Sequence, residues 1–313
     1  MTKIGIIHNP FAKGNLKRPW VAGKIREALG DVGMLRETRN VNELGVVAEE
    51  FKAQGIDIVG VNGGDGSLHL VLTAFIKAYG DQPLPKIMSL RGGSMNTMSN
   101  SLKIKGHTIG IVQEAVKNVR TGKPFSEKPQ HLLCVNGKYG FMSGAGVIAT
   151  FLDAYYGGGG TGPWTAANVF GNTIWSAITL NEYGRRLRLP RPARVTIDGK
   201  TLEPKGFTIM LASAIKELGL GFKPTPHAYD KPGCFHFMAA DIDPVKVVPM
   251  IPKIWMARDL IHPNIQFSHA ATDVVIDPMG EPMRWTIDGE MFGTDEPLHY
   301  TCGPTITVTQ PYT

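Results

Sequence analysis

Along the first third of the chain, hydrophobic residues follow two alternating periods. Lys3–Ile7, Ile56–Val61 and Lys86–Leu90 are short, nearly unbroken apolar runs ended by Asn, Gly or Arg, which is how strands buried on both faces read. Val21–Leu29, Val41–Gln54, Leu68–Ile76 and Ile109–Val119 instead place their apolar residues three and four apart, as amphipathic helices do. With a short strand at Met34–Thr38, the order is strand, helix, strand, helix, and such alternation predicts a mostly parallel sheet. After Gly122-Lys123-Pro124 the pattern changes to short strands: Leu132–Val135, Tyr139–Met142, Val195–Ile197, Phe207–Ala212, Cys234–Ala239, Asp273–Ile276, Arg284–Ile287 and Thr305–Val308. The predicted fold class is therefore α/β, with an N-terminal, mostly parallel α/β domain (1–128) followed by a largely antiparallel β-rich domain (129–299).

Three stretches of the second half interrupt the strands. Ala166–Leu180 is helical and apolar, with Phe170, Ile174, Trp175 and Ile178 on one side, a stripe suited to a core or to lining a site for acyl chains. Asp243-Pro244 reads as the cap and first residue of a helix running to Leu260, whose apolar stripe suits either inward packing or a membrane surface. Gly157-Gly158-Gly159-Gly160 predicts a mobile loop, with a lid as the sharper reading.

Chemistry enters at the strand ends. The run Ile56–Val61 leads into Asn62-Gly63-Gly64-Asp65-Gly66-Ser67, and Lys86–Leu90 leads into Arg91-Gly92-Gly93-Ser94-Met95-Asn96, each followed by a helical pattern. Strand, glycine turn and helix N-terminus gather backbone N–H groups around an anion, although a ligand-free turn is the plainer reading of either loop alone. The first strand also opens into a polar loop, His8-Asn9-Pro10-Phe11-Ala12-Lys13-Gly14-Asn15, which offers Asn side chains, a lysine and a glycine at the carboxyl end of a strand. Neither glycine loop is G-x-G-x-x-G, and no G-x-x-x-x-G-K-[ST] occurs, so a Rossmann site and a Walker P-loop are both disfavoured.

Composition narrows the picture further. The 313 residues carry 42% hydrophobic and 19% charged side chains, enough for a sizeable core, and a net charge of +6 that favours an anionic partner. The basic residues are spread, with no run of five, and nothing marks a nucleic-acid binder. Cys134, Cys234 and Cys302 are scattered and odd in number, which argues against a disulfide framework or zinc site. No apolar segment approaches a transmembrane length, and the expected location is cytoplasmic, with peripheral membrane contact left open.

Thr-Ile-Asp-Gly occurs twice, as Thr196–Gly199 before Lys200 and as Thr286–Gly289 before Glu290. Asp-Gly between strands is first a hairpin turn. Only the second copy adds a carboxylate two residues on, and a carboxylate pair can take a proton from a hydroxyl or hold Mg²⁺.

Taken together, these motifs resemble the diacylglycerol kinase catalytic-domain family, especially its soluble bacterial lipid kinases. His8–Ala12 looks like the family's first-strand Asn-Pro loop, Gly63-Gly64-Asp65-Gly66-Ser67 its Gly-Gly-Asp-Gly-Thr signature, Gly93-Ser94-Met95-Asn96 its Gly-Thr-x-Asn loop, and Asp288-Gly289-Glu290 its Asp-Gly-Glu. Gly219-Leu220-Gly221 resembles a glycine-rich segment of the second domain. The resemblance implies an ATP-binding α/β domain to which a C-terminal strand (about 300–313) returns, a β-sandwich lipid-substrate domain, and ATP in the cleft between them. It implies ATP contacts from Asn9, Thr38, Gly63, Gly64, Asp65, Gly66, Ser67, Ser94 and Asn96. It further implies catalytic roles for Glu290 as proton acceptor, Asp288 as its partner and Asp65, with Mg²⁺ accompanying ATP.

Departures from the family pattern are His69-Leu70 after the signature, Thr97 in place of an acid, and Pro232 in place of the aspartate of a structural Mg²⁺ site; that metal site is not carried over. The implied activity is a phosphotransferase acting on a lipid hydroxyl, diacylglycerol-like or sphingoid/ceramide-like, at a membrane surface. A homodimer is compatible. The rival readings are an NAD kinase-like enzyme, disfavoured by the missing Asn-Asn-Glu, and a catalytically impaired nucleotide-binding protein.

Overall fold

A computed structural model of the chain describes residues 2–158, 162–179, 181–203, 206–218 and 221–312, the side chains of Pro163 and Ala177 excepted. It divides into two compact units: residues 1–131 with 304–313, and residues 132–303. The expectations for Gly159-Gly160 and for Gly219-Leu220 fall outside the described residues.

The first unit alternates strand and helix: β1 (Ile4–His8), α1 (Lys13–Leu16), α2 (Val21–Leu29), β2 (Gly33–Glu37), α3 (Asn42–Ala53), β3 (Ile58–Asn62), α4 (Asp65–Tyr79), β4 (Lys86–Ser89), α5 (Thr97–Ser101) and α6 (Thr108–Thr121). Its sheet order is β2-β1-β3-β4, all parallel, so each crossover must return over a face and helices cover the sheet. Every residue of β1 and of β3 is buried, as their unbroken apolar runs require. Gly5 is fitted to Phe51 of α3: a Cβ there would lie 2.4 Å from the ring.

The second unit is antiparallel. After β5 (Ser126–Val135) come β6 (Lys138–Gly140) and β7 (Met142–Gly146), then three helices, α7 (Val147–Gly157), α8 (Pro163–Thr179) and α9 (Glu182–Arg188). Strands β8 (Arg191–Pro192), β9 (Arg194–Ile197), β10 (Lys200–Thr201), β11 (Gly206–Phe207), β12 (Ile209–Ser213) and β13 (Phe235–Ala240) follow. The short helices α10 (Pro244–Val247) and α11 (Ile251–Trp255) precede β14 (Ile265–Ala271), β15 (Asp273–Asp277), β16 (Met283–Ile287), β17 (Glu290–Thr294) and β18 (Leu298–Gln310). One layer runs β14-β13-β12-β7-β16-β17; the other holds β10-β9-β15 and the first residues of β18. Phe207, Phe235, Phe237, Trp285 and Tyr300 fill the core between them. Val308 of β18 lies beside Ile87 of β4, in parallel, within the first unit.

Two helical expectations are corrected. Asp243 does cap α10, its carboxylate accepting from the Val245 N–H at 3.0 Å, but the helix breaks into α10, a 3₁₀ turn (Val248–Met250) and α11. Pro249 and Pro252 supply no N–H for a continuous ladder, which accounts for the break. In α8, Trp175 and Ile178 do not enter the core; they are exposed.

Candidate active site

In the first unit the strand ends are locked together by polar side chains. Asn9, leaving β1, donates through Nδ2 to Ser67 Oγ at 2.9 Å and accepts from the Phe11 N–H at 2.9 Å. Asn15 donates to the carbonyls of Asn9 and Asn62 at 2.8 and 3.0 Å, joining the loops after β1 and β3. Asn62 donates to His8 Nδ1 at 2.8 Å; burial depresses the His8 pKa, so this buried imidazole stays neutral and can accept.

The two glycine loops meet backbone to backbone. A Cβ on Gly93 would lie 2.5 Å from Gly64 Cα, and one on Gly92 would lie 2.3 Å from Asn62 Oδ1, so neither position has room for any side chain. Asp65 completes the lock: its two oxygens accept from the N–H groups of Thr97 and Met98 at 2.9 and 3.0 Å, at the start of α5. Burial raises the Asp65 pKa, and these backbone donors oppose the shift. Asn96, in the left-handed region at φ 50°, ties its own loop by exchanging hydrogen bonds with Gly93.

Beside this lock is a cavity of about 220 Å³, whose polar lining includes Asn9, Thr38 and Ser67, with Phe11, Leu44 and Val71 among its apolar walls. The structure thus gathers Asn9, Thr38 and Ser67 at one cavity. Gly63, Gly64, Asp65 and Gly66 form the turn into α4, and Ser94 and Asn96 belong to the loop packed against it. The first N–H groups of α4 fall at this turn, where a helix start has no carbonyl to bond them. Asn62 and Arg39 also line the cavity, and Asn15 bonds beside it; the sequence reading passed over Arg39, and it included Asn15 and Asn62 in its loops without giving either a role of its own. An Asn ending a wholly apolar strand, as Asn62 does, was the available signal for one of them. His69 and Thr97, the departures noted above, are both buried, Thr97 through its bond to Asp65.

In the second unit, Asp288 is buried (4% exposed) and accepts from the N–H groups of Phe141 and Met142 at 3.0 to 3.1 Å. Gly140 is fixed by it, since a Cβ there would lie 2.6 Å from Asp288 Oδ2. Glu290 follows on β17, directly across from Ile287. Its side chain is exposed in part, yet its neighbours desolvate it enough to hold its carboxyl above the usual glutamate value. Among the described residues it has no hydrogen-bond or ion-pair partner. Of the three carboxylates singled out, Asp65 and Asp288 are held by backbone donors, and Glu290 has none among the described residues.

Asp230, out of register with the family's structural metal site, is instead bonded by His227 Nδ1 at 2.5 Å, and the opposite ring nitrogen meets Asp259 at 2.7 Å. Among the described residues no group of three His, Cys, Asp or Glu is arranged to hold a metal ion.

The first unit is thus a parallel sheet with glycine loops and helix starts at its strand ends, and the second an antiparallel two-layer sandwich. Residues 3–124 match the profile of the diacylglycerol kinase catalytic domain. The fold agrees over nearly the whole length. The crystal structure of a diacylglycerol kinase from Bacillus anthracis str. Sterne is 17% identical, with 98% of this chain and 96% of that chain covered and a TM-score of 0.65. A second crystal structure from that organism, also 17% identical at the same coverage, gives a TM-score of 0.71. At this identity the likeness is one of fold. No protein of curated function matches the sequence.

Proposed function

We propose that the chain is an ATP-dependent lipid kinase that transfers the γ-phosphoryl group to a lipid hydroxyl, of a diacylglycerol-like or a sphingoid/ceramide-like molecule. The observation that carries this reading is the pair of interlocked glycine loops beside the Asn9–Thr38–Ser67 cavity, within a diacylglycerol kinase catalytic domain. Phosphoryl transfer needs little covalent help from a protein; it needs the phosphates held by oriented donors and a base at the acceptor hydroxyl.

In this reading Asn9 and Thr38 contact the nucleotide. The N–H groups of Gly64, Gly66 and Ser67 and the Ser94 loop with Asn96 receive the phosphates. Asp65 acts as a positioning residue, because both its oxygens hold the start of α5 and so keep the loops in register. Glu290 accepts the proton of the lipid hydroxyl, and its raised pKa makes it a stronger base than an ordinary glutamate. Asp288 positions the hairpin that carries Glu290.

The residues present fit Mg²⁺ only as a companion of the nucleotide: with no three-ligand cluster among the described residues, phosphate oxygens and water would supply most of its shell. Bound there, the ion would neutralise charge developing on the transferred group.

The test is incubation of the purified chain with labelled ATP and Mg²⁺ against diacylglycerol, ceramide, sphingosine and NAD. Label in a lipid is expected. Label in NADP alone, or ATP bound with none transferred, overturns the proposal.

A further inference from the structure

Helix α8 is built inside out. Its buried positions carry Ala166, Thr173 and Ser176. The hydroxyls are satisfied locally: Thr173 donates to the Val169 carbonyl at 2.7 Å, and Ser176 accepts from Asn181 at 3.0 Å. The outward positions carry Trp164, Trp175 and Ile178, which are 85%, 65% and 51% exposed. Their spacing of eleven and three places them along one side of the helix.

Charge beside this stripe is mostly basic. Between Pro163 and Arg194 the chain has Arg185, Arg186, Arg188, Arg191 and Arg194 against the single acid Glu182; Arg188 and Arg194 pair with Asp243 and Asp277 from other segments. Arg185, Arg186 and Arg191 are exposed, and Leu189 among them is 56% exposed. The same composition recurs after α10, which packs against α8: Trp255 and Ile261 are exposed, with Lys253 and Arg258.

We infer that the α8–α9 face docks on the anionic surface of a phospholipid bilayer. Tryptophan set outward beside arginine suits the headgroup boundary, where the ring is partly buried and its N–H stays wet. Anionic headgroups complement exposed Arg186 and Arg191, each worth roughly fivefold in partitioning. A second copy is a poorer occupant, because two-fold pairing of this face would bring its arginines together. The inference rests on the lipid-kinase reading for the choice of partner: an enzyme phosphorylating a bilayer lipid must sit on the bilayer. Among the described residues no helix is long and apolar enough to cross a membrane, so this contact is one of surface.

Sedimentation of the full chain with vesicles of phosphatidylcholine, with and without phosphatidylglycerol, tests it. The chain should bind only the phosphatidylglycerol vesicles, less so as salt rises. Arg186→Gln with Arg191→Gln should lower the partition coefficient roughly tenfold or more. Trp175→Ser with Ile178→Ser should weaken binding as well, and Trp emission should no longer shift blue with vesicles to the same extent. Both double variants should keep full activity on a water-soluble short-chain diacylglycerol, since surface changes seldom unfold a chain. Absence of binding to phosphatidylglycerol vesicles by a chain active on the soluble lipid overturns the docking face and leaves the kinase standing. Vesicle binding without phosphorylation of any lipid overturns the kinase reading and leaves the face standing. Equal binding by the variants, or loss of a dimer as the only effect of the Trp175 variant, also overturns the inference.

Discussion

Thr196-Ile197-Asp198-Gly199 and Thr286-Ile287-Asp288-Gly289 fold into the same object. In both, a two-residue loop joins paired strands, with φ of 46° and 80° at Asp198 and Gly199, and 47° and 89° at Asp288 and Gly289. Both angles are positive, as a type I′ turn requires, and this turn matches the twist of the strands it connects. In both, the aspartate reaches across to backbone donors of another segment: Asp198 to Thr272 and Asp273, Asp288 to Phe141 and Met142. The copies differ in surroundings and in one residue. Asp198 is exposed and Asp288 buried; the position opposite the isoleucine is Lys200 in one and Glu290 in the other. The tetrapeptide therefore encodes the turn. What makes the second copy a candidate for chemistry is the acid after it and the protein around it.

The comparison breaks most sharply at that acid. Glu290→Gln should lower turnover on the lipid by about a thousandfold, within the range removed with a general base, while nucleotide binding persists. Lys200→Gln should change nothing. Because Glu290 has its pKa raised by desolvation, its ionised form is disfavoured in the folded chain, so the neutral glutamine should melt no lower at neutral pH. The same sign governs the pH profile. The base works only when ionised, so kcat/KM should fall on acidification at a higher pH than an ordinary glutamate would impose. Turnover retained by Glu290→Gln would remove this residue from the mechanism.

A smaller contrast separates the two aspartates. Asp288→Ala strands buried N–H groups of Phe141 and Met142 and should cost about 3 kcal/mol in urea unfolding. Asp198→Ala frees donors that water can reach and should cost about 1 kcal/mol. Burial acts to raise the Asp198 pKa, but hydrogen bonds from Thr272 and Asp273 outweigh it and leave the carboxyl below its usual value. Its contribution is then fully present above the unfolded pKa, about 3.9, and lost as pH falls through the lower folded value. Equal costs for the two alanine variants would mean that burial does not distinguish the hairpins.

What could be read from the chain follows the same division between local pattern and surroundings. Period and punctuation located β1, β3, β4 and α4, because fully buried strands and helix starts have local signatures. They also located both glycine loops. The bonds from Thr97 and Met98 to Asp65 were not legible, since a carboxylate capping a helix more than thirty residues away leaves no mark in the spacing. Helix α8 shows a related limit. Periodicity grouped Trp175 and Ile178 on one side correctly, but which side the protein covers depends on what packs there.

The finest test concerns the glycines of the two turns. Gly199→Ala and Gly289→Ala both place a Cβ at positive φ, a strain of roughly 1 kcal/mol that the two variants share. Around Gly199 a Cβ meets open space, whereas at Gly289 it would lie 2.8 Å from the Tyr156 hydroxyl at the end of α7. Only the second variant must also push a side chain aside. A tyrosine tip moves cheaply, so the added destabilisation should be small, a few tenths of a kcal/mol in paired urea titrations, within the scatter typical of surface changes. Its value lies in a third variant: Gly289→Ala combined with Tyr156→Phe removes the hydroxyl and should return the cost to that of Gly199→Ala. If the excess persists without the hydroxyl, the second hairpin is strained by its own backbone, and the two copies of Thr-Ile-Asp-Gly are less alike than their angles.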